Sequence, residues 1–208
     1  MLRPFAALTV LALALSAAPA GAGSAPTAAA ADALAHAALP DLMIGKADAP
    51  VTIVEYASMT CSHCAAFHKD VWPVLKAKYV DSGKAKFVLR EFPLDGLATA
   101  AFMLARCAGP EKRNAMVDTL FDHQADWAFT QTPVDKLREQ WLAADLTADA
   151  FDACLKNQAL LTAVNASRDT ANKALGVNST PTFFVNGKKM AGEHSLAKFD
   201  EALGPLTH

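Results

Sequence analysis

The spacing of apolar residues changes along this chain, and each change marks an element. Val51-Thr52-Ile53-Val54-Glu55-Tyr56-Ala57 is rich in β-branched residues and largely apolar on both faces. That is the pattern of a strand buried in the middle of a sheet. Upstream, Asp41-Leu42-Met43-Ile44-Gly45 predicts a short edge strand ending at a glycine. Downstream, Phe67, Val71, Leu75 and Tyr79 recur every four residues with Val74 beside them, which predicts a buried helical stripe. Pro73 should kink that helix in its middle, and Asp81-Ser82-Gly83 should end it. Ala85-Lys86-Phe87-Val88-Leu89-Arg90-Glu91-Phe92 reads as the next strand, closed by Pro93. The order β-α-β implies a parallel pair with a right-handed crossover.

From Leu94 to Gly176 the period is helical throughout, over residues 98–108, 114–121, 134–143, 151–155 and 159–175. Thr132-Pro133 and Leu146-Thr147 have the character of helix starts. Strand character returns in Thr182-Phe183-Phe184-Val185 and Lys188-Lys189-Met190-Ala191, which flank Asn186-Gly187. Asn-Gly between two such runs is a strong hairpin signal. Residues 195–203 close the pattern as a helix, with Leu196, Phe199 and Leu203 on one face. No internal repeat is present in the sequence.

The first residues have a different character. Met1-Leu2-Arg3 carries the only early charge, and an almost wholly apolar run follows to Ala18. Ala18-Pro19-Ala20 and Ala20-Gly21-Ala22 both fit a small-x-small cleavage site. Residues 1–22 therefore read as a secretory signal peptide rather than a membrane anchor, because the run is shorter than the ~20 residues that span a bilayer. Residues 23–40 are alanine-rich and read as a linker, with at best a frayed helix over 28–38, and residues 41–208 as the folded domain. The 52% hydrophobic content is inflated by the leader and by alanine. Without Arg3 the chain has 18 basic against 21 acidic side chains, a net charge of about −3. That balance argues against a nucleic-acid partner and supplies no basic patch for a membrane surface. No later stretch has the length and apolarity for stable membrane insertion.

Cysteine adds the chemistry. Cys61, Cys64, Cys107 and Cys154 all lie in the exported part, where an oxidising compartment lets them pair in any of three connectivities. Cys61-Ser62-His63-Cys64 sits between a predicted strand and a predicted helix. At a helix start both sulfurs fall on the first turn, where unpaired N–H groups and the helix dipole favour a Cys61 thiolate. A stabilised thiolate makes the corresponding disulfide a stronger oxidant. His63 can donate a hydrogen bond to that thiolate and adds charge when protonated. A bare CxxC also admits a structural disulfide, or half of a zinc site completed by histidines such as His63 and His68. The all-cysteine zinc set lacks its second close pair, since Cys107 and Cys154 are far apart in sequence.

Val54-Glu55-Tyr56, the stretch Cys61-Ser62-His63-Cys64-Ala65-Ala66-Phe67-His68, and Ser179-Thr180-Pro181-Thr182-Phe183-Phe184-Val185-Asn186-Gly187 resemble thioredoxin-fold proteins of the DsbA type. The resemblance covers residues 41–205. It implies a thioredoxin-like α/β fold with a central mixed sheet. A helical insertion over residues 94–176 would separate the β-α-β half from the C-terminal β-hairpin-α half. It further implies that Cys61 is the attacked sulfur, Cys64 the resolving one, and Pro181 a cis-proline beside them. Thr180 would offer backbone groups to an extended substrate. Glu55 stands where similar proteins hold a buried acid that assists proton transfer, the alternative being a surface glutamate. Ser62 departs from the proline of the best-known oxidases, so oxidising strength does not carry over. Some DsbA-like proteins join a pair such as Cys107 and Cys154 in a second disulfide; two separate buried thiols are the alternative.

The implied activity is protein-disulfide oxidation in the periplasm. Its partners would be reduced exported proteins and a DsbB-like membrane quinone reductase. An isomerase or thiol reductase of the same fold is the nearest rival, and a metal-binding module using the CxxC the more distant one. No cofactor or metal is expected, and no glycine-rich phosphate loop is present. Met59 and Thr60 are expected to line the substrate groove together with Ser62. His68 reads as a solvated helix position, His123 and His194 as surface residues, and Trp72, Trp127 and Trp141 as core or groove wall.

Overall fold

A strand that is apolar on both faces must be covered on both, and β2 (Val51–Ala57) is the centre of the sheet. The computed structural model describes residues 34–35 and 37–207. The signal-peptide reading of residues 1–22, and most of the linker, lie outside the described residues.

Five strands run in the order β1-β3-β2-β4-β5. β3 (Ala85–Glu91) pairs parallel with β2, so the expected β-α-β unit is present. β1 (Leu42–Ile44) is an antiparallel edge strand on β3. It ends at Gly45, whose φ of 102° and close approach to Val80 and the Ala85 carbonyl leave no room for a side chain. β4 (Thr182–Val185) runs antiparallel to β2, and β5 (Lys188–Lys189) completes a hairpin shorter than its sequence suggests. Asn186 and Gly187 both have positive φ, 45° and 82°, as the tight turn requires. The Asn186 side chain also accepts a hydrogen bond from the Thr52 N–H at 2.8 Å.

The helical stripe after the cysteines is not one kinked helix. α1 (Ser62–Asp70) stops at Val71, α2 (Trp72–Leu75) begins again with Pro73 in its first turn, and residues 76–80 form a wider π-type turn. Pro73 lacks the N–H that a continuous helix would need, and a helix start tolerates this. Phe67, Leu75 and Tyr79 are buried as the spacing predicts, whereas Val74 is exposed. The insertion between β3 and β4 consists of α3 (Gly96–Cys107), α4 (Arg113–Asp122), α5 (Gln124–Trp127), α6 (Pro133–Ala143), α7 (Ala148–Leu155) and α8 (Gln158–Leu175). The short α5 has no counterpart in the sequence reading. α9 (Leu196–Leu203) closes the fold.

One face of the sheet, with Ile53, Ala57 and Phe87, packs on α1, α9 and the insertion through Phe67, Phe199, Phe102 and Trp127. The other face, with Val54, Tyr56 and Val88, is covered by α8 through Ala171 and Leu175. Trp72, Trp127 and Trp141 are all buried. Cys107 and Cys154 form a disulfide that ties α3 to α7. Arginines fasten the described end of the linker. Arg90 donates to the Leu34 carbonyl and pairs with Asp41, and Arg106 donates to the Pro40 carbonyl and pairs with the buried Glu91.

Candidate active site

Cys61 is the N-cap of α1, so its sulfur occupies the place of the usual capping oxygen. It accepts from the Cys64 N–H at 3.4 Å. The two cysteines are present as a dithiol. Their environments differ sharply. Cys61 retains 8% of its surface at the protein exterior, whereas Cys64 has none. The Cys61 thiol is held down to about 5, chiefly by the hydrogen bond from the Cys64 thiol. Burial opposes this, while Thr180 and the backbone N–H groups of Cys64 and His63 assist. The Cys64 thiol is pushed far up, first by burial, then by its bond to Cys61 and by the charge of Glu55. One sulfur is a nucleophile and leaving group at neutral pH; the other keeps its proton until something removes it.

The Thr180-Pro181 peptide is cis and lies against the cysteines. The Cys61 sulfur lies 3.3 Å from the Thr180 carbonyl, to which the protonated thiol donates. Beside Pro181 opens a groove of about 320 Å³ lined by His63, Ala66, Phe67, Asp70, Glu193 and His194, among others. His194 is half-buried rather than a free surface residue. Its ring packs edge-on to Phe183 at 4.7 Å, and burial lowers its pKa. His123, by contrast, is exposed and pairs with Asp126.

The structure differs from the sequence reading at several side chains. The His63 ring is exposed and makes no hydrogen bond to Cys61 among the described residues; its contribution is its backbone N–H. Met59 is fully buried in the core, so its side chain cannot line a groove, and Ser62, though exposed, is not among the residues that line the groove at Pro181. Thr60 is bonded to Asp95 at 2.7 Å, and Asp95 in turn caps α3. Glu55 is fully buried on the central strand, which excludes the surface alternative. His68 is not solvated. It is 6% exposed, stacks on Phe121 at 4.1 Å, and a 2.9 Å hydrogen bond joins its Nε2 to Glu55 Oε2. Its place four residues after Cys64 turns it inward, and a buried acid on the facing strand supplies the partner that makes burial tolerable.

Gln124 is a residue that pattern reasoning misses. Its buried amide donates to the carbonyls of Met59 at 2.8 Å and Cys61 at 3.0 Å, so the insertion holds the loop leading into α1. Nothing in a local sequence window marks it, because the contact spans more than sixty residues. Among the described residues no cluster of three or more His, Cys, Asp or Glu is arranged to hold a metal ion. His68, which a Cys2His2 set would need, is already bonded to Glu55.

Comparison with known proteins places this arrangement. A family model described as Thioredoxin matches residues 38–204. A Rickettsia conorii protein provisionally named a protein-disulfide oxidoreductase is 31% identical over 164 residues, covering 78% of this chain and 59% of its own. The chain thus spans well under two thirds of that relative. Disulfide bond formation protein D of Bacillus subtilis is 25% identical, with 76% of this chain and 72% of that protein aligned. The crystal structure of Wolbachia pipientis alpha-DsbA1 superposes with a TM-score of 0.77 at 29% identity, covering 84% of this chain and 95% of that one. The chain belongs to the thioredoxin family and is DsbA-like within it.

Proposed function

We propose that this DsbA-like member of the thioredoxin family is an exported protein-disulfide oxidoreductase that works as an oxidase on exported proteins. The observation that carries the reading is the asymmetry of the two thiols, a Cys61 thiol held near 5 beside a sealed Cys64 whose pKa is raised. The reactive form is the Cys61–Cys64 disulfide. A substrate thiolate attacks Cys61, forming a mixed disulfide, and Cys64 leaves and takes up a proton. A second substrate thiolate then attacks the substrate sulfur of the mixed disulfide. Cys61 leaves as its stabilised thiolate, and the substrate gains a disulfide while the enzyme disulfide is reduced to the dithiol.

The Thr180 backbone lies against the attacked sulfur, and the adjoining groove at Pro181 is suited to an extended peptide, with Ser62 next in sequence to Cys61 as a further contact. Cleavage of residues 1–22 and residence in the periplasm belong to this reading, as does reoxidation by a DsbB-like membrane quinone reductase. Among the described residues no helix is long and apolar enough to cross a membrane. The test is the midpoint potential of Cys61–Cys64 together with complementation of a strain lacking its periplasmic oxidase, with Cys61→Ala as control. Complementation and a potential well above thioredoxin's, which is about −270 mV, support the oxidase. A potential near thioredoxin's would reject it in favour of a reductase.

A further inference from the structure

Two helices of the insertion leave a trough between them. On α3, Gly96, Thr99, Ala100 and Met103 have the spacing of one helix face, and on α8 so do Leu161, Asn165 and Arg168. Thr99 donates to Asn165 Oδ1 at 3.3 Å and fixes how the two faces meet. Leu155, next to the disulfide-bonded Cys154, closes one end, and the Cys154 sulfur lies 3.2 Å from the Met103 carbonyl. Leu161, in the first turn of α8, belongs to this end, which is therefore apolar. The polar end holds Asp95 and Arg168. The open space is about 310 Å³, against a lower bound of about 300 Å³ for sites that take a ligand.

The polar end adjoins the reactive loop. Asp95 Oδ2 accepts from Thr60 at 2.7 Å, and Thr60 immediately precedes Cys61. Leu94, beside Asp95, is 54% exposed, and its N–H donates to Ser58 of the same loop at 3.2 Å. An exposed leucine thus stands on the short path from the attacked sulfur to the trough. No residue lines both the trough and the groove at Pro181. The two charges of the lining are opposite in sign, and each has a partner, Thr60 for Asp95 and Asp169 for Arg168. A free ion gains little there. Asn165 spends Oδ1 on Thr99, and its NH2 group has no partner among the described residues, a donor suited to a main-chain carbonyl. A polar mouth without net charge and an apolar end fit an uncharged main chain that carries an apolar side chain.

We propose that the trough between α3 and α8 is a second contact for the substrate polypeptide, holding an apolar side chain of an unfolded exported protein while its cysteine attacks Cys61. The proposal rests on the oxidase reading of Cys61 and Cys64. The exchange itself is unchanged: the substrate dithiol is oxidised to a disulfide, and the enzyme disulfide takes the two electrons and becomes the dithiol. What the trough adds is selection at capture. An α-helix rises about 1.5 Å per residue, so residues 96–103 span about 10 Å. An extended chain covers that length in about three residues. With the step across Thr60 and Leu94, the apolar side chain falls about four to six residues from the attacking cysteine. Substrates with such a residue at that distance are captured ahead of those with a small or charged one.

The experiment uses the full oxidised protein and reduced two-cysteine peptides. The peptides are otherwise Gly and Ser, with Leu, Ala or Glu at one position, scanned about three to seven residues to either side of the cysteines. Acid quench and mass spectrometry follow a single turnover. At one placement Leu should raise the second-order rate over Ala by about tenfold or more. Ala100→Phe fills the trough and should bring that ratio close to one. Leu161→Lys should move the preference from Leu to Glu, a change that loss of folding cannot produce; if Ala100→Phe does not fold, Leu161→Lys carries the test. The rate with dithiothreitol, which is too short to reach the trough, normalises each variant. Equal rates for Leu and Ala at every placement, or a Leu preference that survives Ala100→Phe, would overturn the second contact. So would self-association of the protein that Ala100→Phe abolishes, which would give the trough to a second copy of the chain. Failure of the parent protein to oxidise both the peptides and dithiothreitol would instead overturn the oxidase reading on which the proposal rests.

Discussion

Lowering the pH should erase what the Cys61 thiolate contributes to the stability of the reduced protein. The ordinary thiol value is 9.0, and the fold holds Cys61 at about 5. A depressed acid contributes stability above its unfolded pKa and loses it as pH falls through its folded one. At pH 7 the folded thiolate is fully formed while the unfolded thiol is protonated, so two pKa units count, about 2.7 kcal/mol. The thiolate borders an open groove, and solvent screening there brings the figure to about 1.5–2.5 kcal/mol. On a two-electron couple that corresponds to about 30–50 mV. The raised Cys64 thiol has the opposite sign and subtracts from the reduced fold only above the ordinary thiol range. The assay is urea unfolding of reduced and oxidised protein at pH 7 and pH 4, with thiolate absorbance giving the Cys61 titration directly. Most of the thiolate contribution should be gone at the lower pH. Cys64→Ala removes the largest cause of the depression and should move the Cys61 titration back toward the ordinary value. A Cys61 midpoint above about pH 7, or a stability gap equal at the two pH values, would refute the reasoning.

Three further outcomes are expected. Replacing Cys107 and Cys154 together with alanine opens a 47-residue separation and should cost up to about 4 kcal/mol in urea unfolding. Arg106→Met leaves the buried Glu91 without the cation that sits 2.5 Å away and should cost about 3–5 kcal/mol, at the lower end because Arg113 is also near. A loss under about 1 kcal/mol would mean that Glu91 is satisfied by other groups. Asn186→Ala removes both a residue suited to positive φ and an acceptor for the Thr52 N–H, and should lower stability by about 1–2 kcal/mol in the same measurement.

Most of the architecture is legible in local pattern. The both-sided apolarity of residues 51–57 and Asn186-Gly187 each report a local constraint, and each appears as an element in place, whereas the four-residue stripe after Cys64 is divided among α1, α2 and the π-type turn. What local pattern leaves out is how segments distant in sequence satisfy one another. His68 looks like a polar helix position until Glu55 is brought opposite it. Met59 lies next to the reactive loop in sequence, yet it is drawn into the core while its carbonyl is held by Gln124. The break at Val71 and the short β5 reflect competition between helix continuity, a proline and the sheet edge, which periodicity alone does not rank.

The two hydrogen bonds from Gln124 limit how this protein can be recombined with its relatives. The helical insertion looks like a cassette, bounded by β3 and β4 and joined internally by its own disulfide. A chimaera that exchanges it without a matching amide would leave the Met59 and Cys61 carbonyls facing an apolar wall, and would loosen the turn that aims the reactive sulfur. Shuffling should therefore carry the insertion and the segment leading into α1 as one inherited block.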